Sequence, residues 1–138
     1  MIVSTKGRYA LRVMIDLAQH AGAGYVPLRD VAARQGISEK YLESILKVLV
    51  GSGLVNGVRG KNGGYRLSRK PSEYTAWDII SVTENDFYAV ACLSPGAAAC
   101  ERAGQCATLH MWKDFDAEMK RFFEQYTIES LARPRGEG

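Results

Sequence analysis

Long apolar runs are missing from this chain. No stretch reaches the eighteen or so unbroken apolar positions that a membrane span needs, and Arg12 and Asp16 interrupt the first candidate. The start, Met1-Ile2-Val3-Ser4-Thr5-Lys6-Gly7-Arg8, leads into an apolar and polar alternation at helical spacing with no small-residue cleavage pattern. Neither a secretory signal nor a membrane partner is therefore expected, and a cytoplasmic location is. Cysteine is scarce and odd in number, three in 138 residues, which argues against a disulfide framework. No Cys-x-x-Cys pair occurs, which counts against structural zinc. A phosphate-binding loop is absent too. Lys61 is followed by Asn62 rather than Ser or Thr, and no glycine stands five residues before Gly60, so no nucleotide site is implied. With 46% hydrophobic and 24% charged residues, the remainder is an ordinary folded domain.

Charge is present but unevenly placed. Residues 1–70 hold 12 basic and 4 acidic side chains, a net of +8, whereas residues 71–138 hold 6 and 11, a net of −5. A basic half joined to an acidic half suggests that one end meets a polyanion while the other does something else.

In the basic half, residues 7–20 place Tyr9, Val13, Met14 and Leu17 on one face and Arg8, Arg12 and Asp16 on the other, the period of an amphipathic helix. His20 near its end is suited to a helix terminus. Leu28–Gln35 predicts a short second helix stopped by Gly36, the residue that most readily takes a left-handed position. Ser38 stands where a cap belongs, with Ile37 and Leu42 placed as a hydrophobic staple around it. A third helix, Glu39 to Val50, then buries Leu42, Ile45, Leu46 and Leu49 and exposes Glu39, Lys40, Glu43, Ser44 and Lys47.

Two helices around a Gly-Ile-Ser turn make a helix-turn-helix. Downstream, Leu54-Val55 and Tyr65-Arg66-Leu67 flank Gly60-Lys61-Asn62-Gly63-Gly64, where the Asn-Gly pair is expected to supply positive backbone angles for a tight hairpin. From Arg59 to Lys70 the chain carries five basic residues and no acidic one. Such a run is often only solvated surface, but attached to a helix-turn-helix it reads as a wing on double-stranded DNA. The third helix is then expected in the major groove, with Ser38, Lys40, Tyr41, Glu43, Ser44 and Lys47 as contacts and Glu43 able to accept from a cytosine amino group. Arg59 is expected in the minor groove, with Lys61 and Arg66 nearer phosphates.

Three sets of residues resemble one family. Ser4-Thr5-Lys6-Gly7-Arg8-Tyr9-Ala10, Gly36-Ile37-Ser38 with Tyr41-Leu42-Glu43, and Val58-Arg59-Gly60 with Gly63-Gly64-Tyr65 are similar to the Rrf-two (Rrf2) family of bacterial regulators, particularly its iron-sulfur branch. The resemblance spans nearly the whole chain. It implies a homodimeric winged-helix repressor; some members hold an iron-sulfur cluster and others hold no metal.

In the acidic half, Thr75 and Asp78 form the pattern of a capping box, starting a helix through Ile79, Ile80 and Val82 in which Trp77 is expected in the core. Beyond Asn85-Asp86 the periodicity dissolves into a loop of small residues and turn formers that holds Cys92, Cys100 and Cys106. The gaps of seven and five residues let three thiolates converge only if the loop folds around a centre, and iron-sulfur suits this better than zinc. The alternative is loose thiols. The resemblance implies that Cys92, Cys100 and Cys106 ligate a 2Fe–2S or 4Fe–4S cluster, without deciding which. It also shows a departure: one branch has a histidine three residues after the last cysteine, where this chain has Leu109, with His110 next. His110 is one helical turn beyond Cys106 and is a candidate fourth ligand; the partner chain, solvent and a small thiol are the others.

From Ala107 to Tyr126 the apolar positions Trp112, Phe115, Met119, Phe122 and Tyr126 step by three and four, a heptad seam. One helix cannot bury that stripe alone. It either folds back on its own domain or pairs with a second copy, and the resemblance favours the homodimer. The expected architecture is mainly α with a small β wing: a winged helix-turn-helix over 1–74, a connecting helix and link over 75–90, a cysteine loop over 91–106, a dimerisation helix with a short turn over 107–131, and a loose tail over 132–138. The function expected is transcriptional repression of iron-sulfur assembly or iron-handling genes, without catalysis. A cluster-free thiol switch and an electron-transfer protein are the alternatives.

Overall fold

A computed structural model describes residues 3–84, 87–94, 96–98 and 101–134. Seven regular elements follow in order: α1 (Thr5–Gln19), α2 (Leu28–Gln35), α3 (Glu39–Gly51), β1 (Val55–Val58), β2 (Gly64–Leu67), α4 (Ala76–Thr83) and α5 (Leu109–Glu124), with a short α6 (Ile128–Ala132) closing the chain. The fold is the expected one, helical with a small antiparallel wing.

Local chemistry explains most boundaries. The Ser4 hydroxyl accepts from the Gly7 N–H at 3.0 Å, so α1 starts two residues earlier than the apolar period indicates. Gly7 lies inside that helix because Glu84 crosses it: a Cβ there would meet Glu84 Oε1 at 2.1 Å. The same carboxylate oxygen accepts from the Ser4 N–H and Oγ, at 3.1 and 2.7 Å. His20 is the carboxy-terminal cap of α1, as its position suggested, with Nδ1 2.8 Å from the Asp16 carbonyl. Gly36 ends α2 in the left-handed region at φ 65°, and Ser38 caps α3 by accepting from the Tyr41 N–H. The Thr75–Asp78 capping box forms in both directions.

The core gathers Val13, Met14 and Leu17 of α1, Val31 of α2, Leu42, Ile45, Leu46 and Leu49 of α3, Ile79 of α4 and Ile128 of α6. The last two bring the acidic half into the same core. Thr75 bridges to Thr127, and the Ile128 N–H donates to the Tyr74 carbonyl at 3.0 Å, so α6 returns against α1 and the turn that leads into α4. Trp77 is half-buried rather than in the core, its ring 5.8 Å from that of Phe87.

Asp16 departs most from expectation. Placed on the polar face by periodicity, it is 1% exposed and, among the described residues, the one charged side chain that is buried. Arg34 donates to it twice, Nε to Oδ2 at 3.0 Å and Nη2 to Oδ1 at 2.8 Å, and Gln35 Nε2 donates to Oδ2 at 2.9 Å. Burial works to raise its pKa, but hydrogen bonds from Arg34 and Gln35 and the charges of Arg34 and His20 outweigh burial and hold it below the ordinary 3.8. A carboxylate with a lowered folded value adds stability that is fully present above its unfolded value and lost as pH falls through the folded one. Arg34→Ala, which strands the buried charge, is expected to cost about 3 kcal/mol at pH 7 in urea unfolding. The gap to wild type should narrow below about pH 4; a gap that held constant down to about pH 3 would sink this account.

Candidate nucleic-acid interface and cysteine loop

Recognition helix and wing sit side by side. On α3 the side chains of Ser38, Lys40, Glu43, Ser44 and Lys47 are exposed, while Leu42 is fully buried, so the helix presents its polar face outward as expected. Tyr41 is only half-exposed: its ring packs edge-on against Tyr9 of α1, centroids 5.9 Å apart. The Arg12 guanidinium lies 4.9 Å above Tyr9 and also donates to Gln35, so a cation and two tyrosines brace the start of α3.

The wing pairs Val55 with Leu67 through Val58 with Gly64, leaving residues 59–63 as the tip. Within that tip, positive φ falls at Gly60 (97°) and Asn62 (66°), not at Asn62 and Gly63 together. Gly63 is required instead by close approach, since a Cβ there would meet the Val58 carbonyl oxygen at 2.3 Å. A third strand position, unexpected from sequence, stiffens the hairpin: Val26 and Tyr65 exchange backbone hydrogen bonds at 2.8 and 2.9 Å. The signal was there in Val26 preceding Pro27, since a residue before proline is biased to extended backbone. That strand brings Tyr25 under Arg66, whose guanidinium is 4.6 Å above the ring. Arg59 and Lys61 are exposed at the tip. Between α3 and the wing runs an open cleft of about 810 Å³ lined by Glu43, Leu46, Lys47, Val50, Val58, Arg59 and Tyr65.

Of the cysteines, Cys92 is exposed on a single turn of 3-10 helix (Ala91–Leu93), and Cys106 is half-buried two residues before the cap of α5. Among the described residues neither is in a disulfide. Cys100 lies outside the described residues. The Cys106 Sγ is 3.5 Å from the Thr108 hydroxyl; that hydrogen bond first, then backbone groups of Thr108 and Leu109, hold its thiol below the ordinary range. A stabilised thiolate suits a soft metal centre, so the donor chemistry fits a thiolate-held cluster. Among the described residues no three His, Cys, Asp or Glu side chains gather as a metal site. His110 is exposed on the first turn of α5. Because Cys106 precedes the cap at Thr108, the two are not on one helix, and the one-turn spacing inferred from sequence does not apply.

The helix α5 starts at Leu109 rather than Ala107 and stops at Glu124, so Tyr126 lies beyond its end, its ring 5.5 Å from that of Phe122. None of its described side chains is buried. Phe115 and Phe122 are 49% and 52% exposed, Trp112 and Met119 half-buried. An apolar groove of about 490 Å³, lined by Val3, Phe87, Phe115, Met119, Phe122 and Phe123 beside Glu118, runs along this face.

A helix-turn-helix whose exposed second helix stands beside a basic hairpin defines a winged-helix DNA-binding protein. The chain belongs to the Rrf2 family, described as iron-dependent transcriptional regulators, whose pattern matches residues 3–134. It is 39% identical over 131 residues to the HTH-type transcriptional regulator IscR of Aliivibrio salmonicida, covering 95% of this chain and 77% of that one. It is also similar to the solved structure of CymR, the global cysteine regulator of B. subtilis, with TM-score 0.74, 36% identity and 96% of both chains covered. The IscR of T. potens matches with TM-score 0.73 and 36% identity over 95% of this chain and 85% of that one. The protein is accordingly a DNA-binding transcriptional regulator of the IscR type; its relatives are regulators rather than enzymes. No described helix is long and apolar enough to cross a membrane.

Removing one phosphate-binding cation from the wing should lower the slope of log affinity against log salt by about 0.9. Arg59→Ala and Lys61→Ala are each expected to weaken operator binding and flatten that slope, read by fluorescence anisotropy from about 50 to 300 mM salt. Unchanged affinity and slope in both would remove the wing from the interface.

Proposed function

We propose that the protein is a homodimeric repressor of iron-sulfur assembly or iron-handling genes, acting in the cytoplasm, whose operator affinity is set by an iron-sulfur cluster on Cys92, Cys100 and Cys106. The observation that carries this reading is the join between the cysteine segment and α5: Cys106 lies two residues before the cap of a helix whose apolar seam is only partly covered by its own chain, with Phe115 and Phe122 about half exposed. Roles then divide along the chain. Residues 1–74 read DNA, 91–106 sense, 107–131 hold the dimerisation helix and the short turn that returns to the core, 75–90 connect them and 132–138 form a tail, of which 135–138 lie outside the described residues.

On DNA, α3 enters the major groove with Ser38, Lys40, Tyr41, Glu43, Ser44 and Lys47, and Arg59 enters the minor groove beside Lys61 and Arg66. Two copies related by a twofold axis, paired through Trp112, Phe115, Met119, Phe122 and Tyr126, match a palindromic site. A cluster, when bound, supplies iron that ties the three thiolates into one unit and responds to iron supply and redox state. The chain's own part is to hold those thiolates, with His110 as candidate fourth ligand, and to pass the order of the loop to α5.

A second reading has an observation behind it. Cys92 is exposed and, among the described residues, in no disulfide; the similar CymR of B. subtilis is described as the global cysteine regulator, and the CymR of Staphylococcus aureus is solved in an oxidised form. The cysteines would then act as a cluster-free thiol switch.

Protein purified without oxygen is expected to contain iron and sulfide and to absorb in the visible. Each Cys→Ala variant should lose that absorption while keeping its fold, and His110→Ala should alter the spectrum or make the cluster more labile. Holo and apo forms should differ by about 5- to 150-fold in operator affinity. Absence of iron after reconstitution, with operator binding that still responds to thiol oxidation, would favour the switch.

The seam generates a separate expectation. Phe115→Asp and Met119→Asp place a charge in an apolar interface and should shift the protein toward monomer in sedimentation velocity. Intact dimers in both would move the interface elsewhere.

A further inference from the structure

Tyr74 is fully buried, yet its hydroxyl sits among polar partners from both ends of the wing. It donates to the Leu54 carbonyl at 2.7 Å and accepts from the Arg69 N–H at 2.9 Å. It also lies 3.0 Å from the Ser68 hydroxyl, which donates to the Gly53 carbonyl at 2.7 Å. Gly53 and Leu54 are the residues entering β1; Ser68 and Arg69 are those leaving β2. The Arg69 guanidinium closes over the tyrosine ring at 5.2 Å. The residue itself is fixed from behind, since the Tyr74 carbonyl accepts from Ile128 of α6.

Beyond the packing of Leu54, Val55 and Leu67 on the core, directional bonds tie the hairpin at two places. One is the backbone bridge between Val26 and Tyr65, partway along β2; the other is this hydroxyl at the base. A two-stranded hairpin is only marginally ordered alone, so its direction depends on its attachments. Apolar packing leaves a range of tilt, and directional bonds at two separated places narrow it. We propose that Tyr74 is the positioning residue of the wing, its hydroxyl setting the height at which Arg59 and Lys61 meet the duplex relative to α3. The inference rests on the reading of the wing as a DNA contact.

The test is a double-mutant cycle between Tyr74→Phe and Arg59→Ala. Binding is measured on a duplex of about 30 base pairs selected by the wild-type protein from a random-sequence pool. Tyr74→Phe keeps the buried ring and removes the hydroxyl, and should weaken binding about fivefold. If Arg59→Ala costs about tenfold in the wild-type background, it should cost less than about threefold beside Tyr74→Phe, because a wing that pivots no longer delivers the arginine. Ile79→Val, a core change on α4 that touches none of the hydroxyl's hydrogen bonds and is chosen to lower Tm by a similar amount, should leave both affinity and the cost of Arg59→Ala unchanged. Should Tyr74→Phe fail to fold, Ser68→Ala removes the neighbouring bond to the Gly53 carbonyl at the same foot of the wing and should show the same coupling, smaller. Strict additivity, or equal losses from Ile79→Val, would overturn the positioning role while leaving the wing in the interface. An Arg59→Ala variant with undiminished binding would overturn the wing reading and this inference together.

Discussion

The buried carboxylate of Asp16 decides where the reading surface lies. Its two oxygens are occupied by Arg34 and Gln35, the last two residues of α2, immediately before the left-handed turn at Gly36 that launches α3. An apolar contact at this place would stabilise the helix pair at least as well, because a buried ion pair repays little of its desolvation. It would not define a register. A bidentate guanidinium on a fixed carboxylate has one geometry, and a slip of one residue along α2 would leave a charge in the core without partners. The end of α2, the turn and the first residue of α3 are therefore placed relative to α1 by directional bonds, and dispersion among Val13, Leu17, Val31 and Leu42 then fills the space.

What could be read from the chain divides along the same line. Gly36, the Ser38 cap, the Thr75–Asp78 box and the staple residues Ile37 and Leu42 were legible because each depends on neighbours within about five residues. Asp16 was not, since its partners stand eighteen and nineteen positions away and helical periodicity alone assigns a charge to the outside. The strand at Val26, the bridge of Thr75 to Thr127 and the burial of Ile128 escaped for the same reason. In the candidate interface, the exposed face of α3 and the basic tip were legible as pattern. The bracing tyrosines Tyr9, Tyr25 and Tyr74 were not, because an aromatic at helical or strand spacing reads as core whether its edge meets a carbonyl, an arginine or another ring. The cysteine spacing shows that the loop must fold for three thiolates to converge and counts against structural zinc, but it does not fix what the loop folds around.

The two halves answer differently to the demand for burial. The winged part closes its core within one chain. The sixteen residues of α5 span about 24 Å at 1.5 Å per residue, and none of the described side chains is buried. An isolated helix of that length is marginal in water. Its order depends on what lies against it: among the described residues one side of it meets α4, Phe87, whose ring is 5.8 Å from Phe123, and the Ala89 N–H, which donates to Asp116 Oδ1 at 2.7 Å. The last two come from the segment leading into the cysteine loop, and Phe115 and Phe122 stay about half exposed.

This partial cover makes the junction responsive. Phe87 lies between Trp77 of α4 and Phe123 of α5, with ring centroids 5.8 Å from each. Glu84, at the end of α4, accepts from Ser4 at the start of α1. The approach to the cysteine loop thus touches the first helix of the DNA-binding part on one side and α5 on the other. Contiguity alone is not coupling; coupling needs an element with two arrangements of similar free energy. A rigid, well-buried helix would offer only one, and no ligand in the loop could shift it. In the proposed dimer, α5 rests on α4, Phe87 and the bond to Asp116 on one side and on a second copy on the other, and ordering the loop, worth about 1–3 kcal/mol of differential affinity, would change how the two recognition helices are presented.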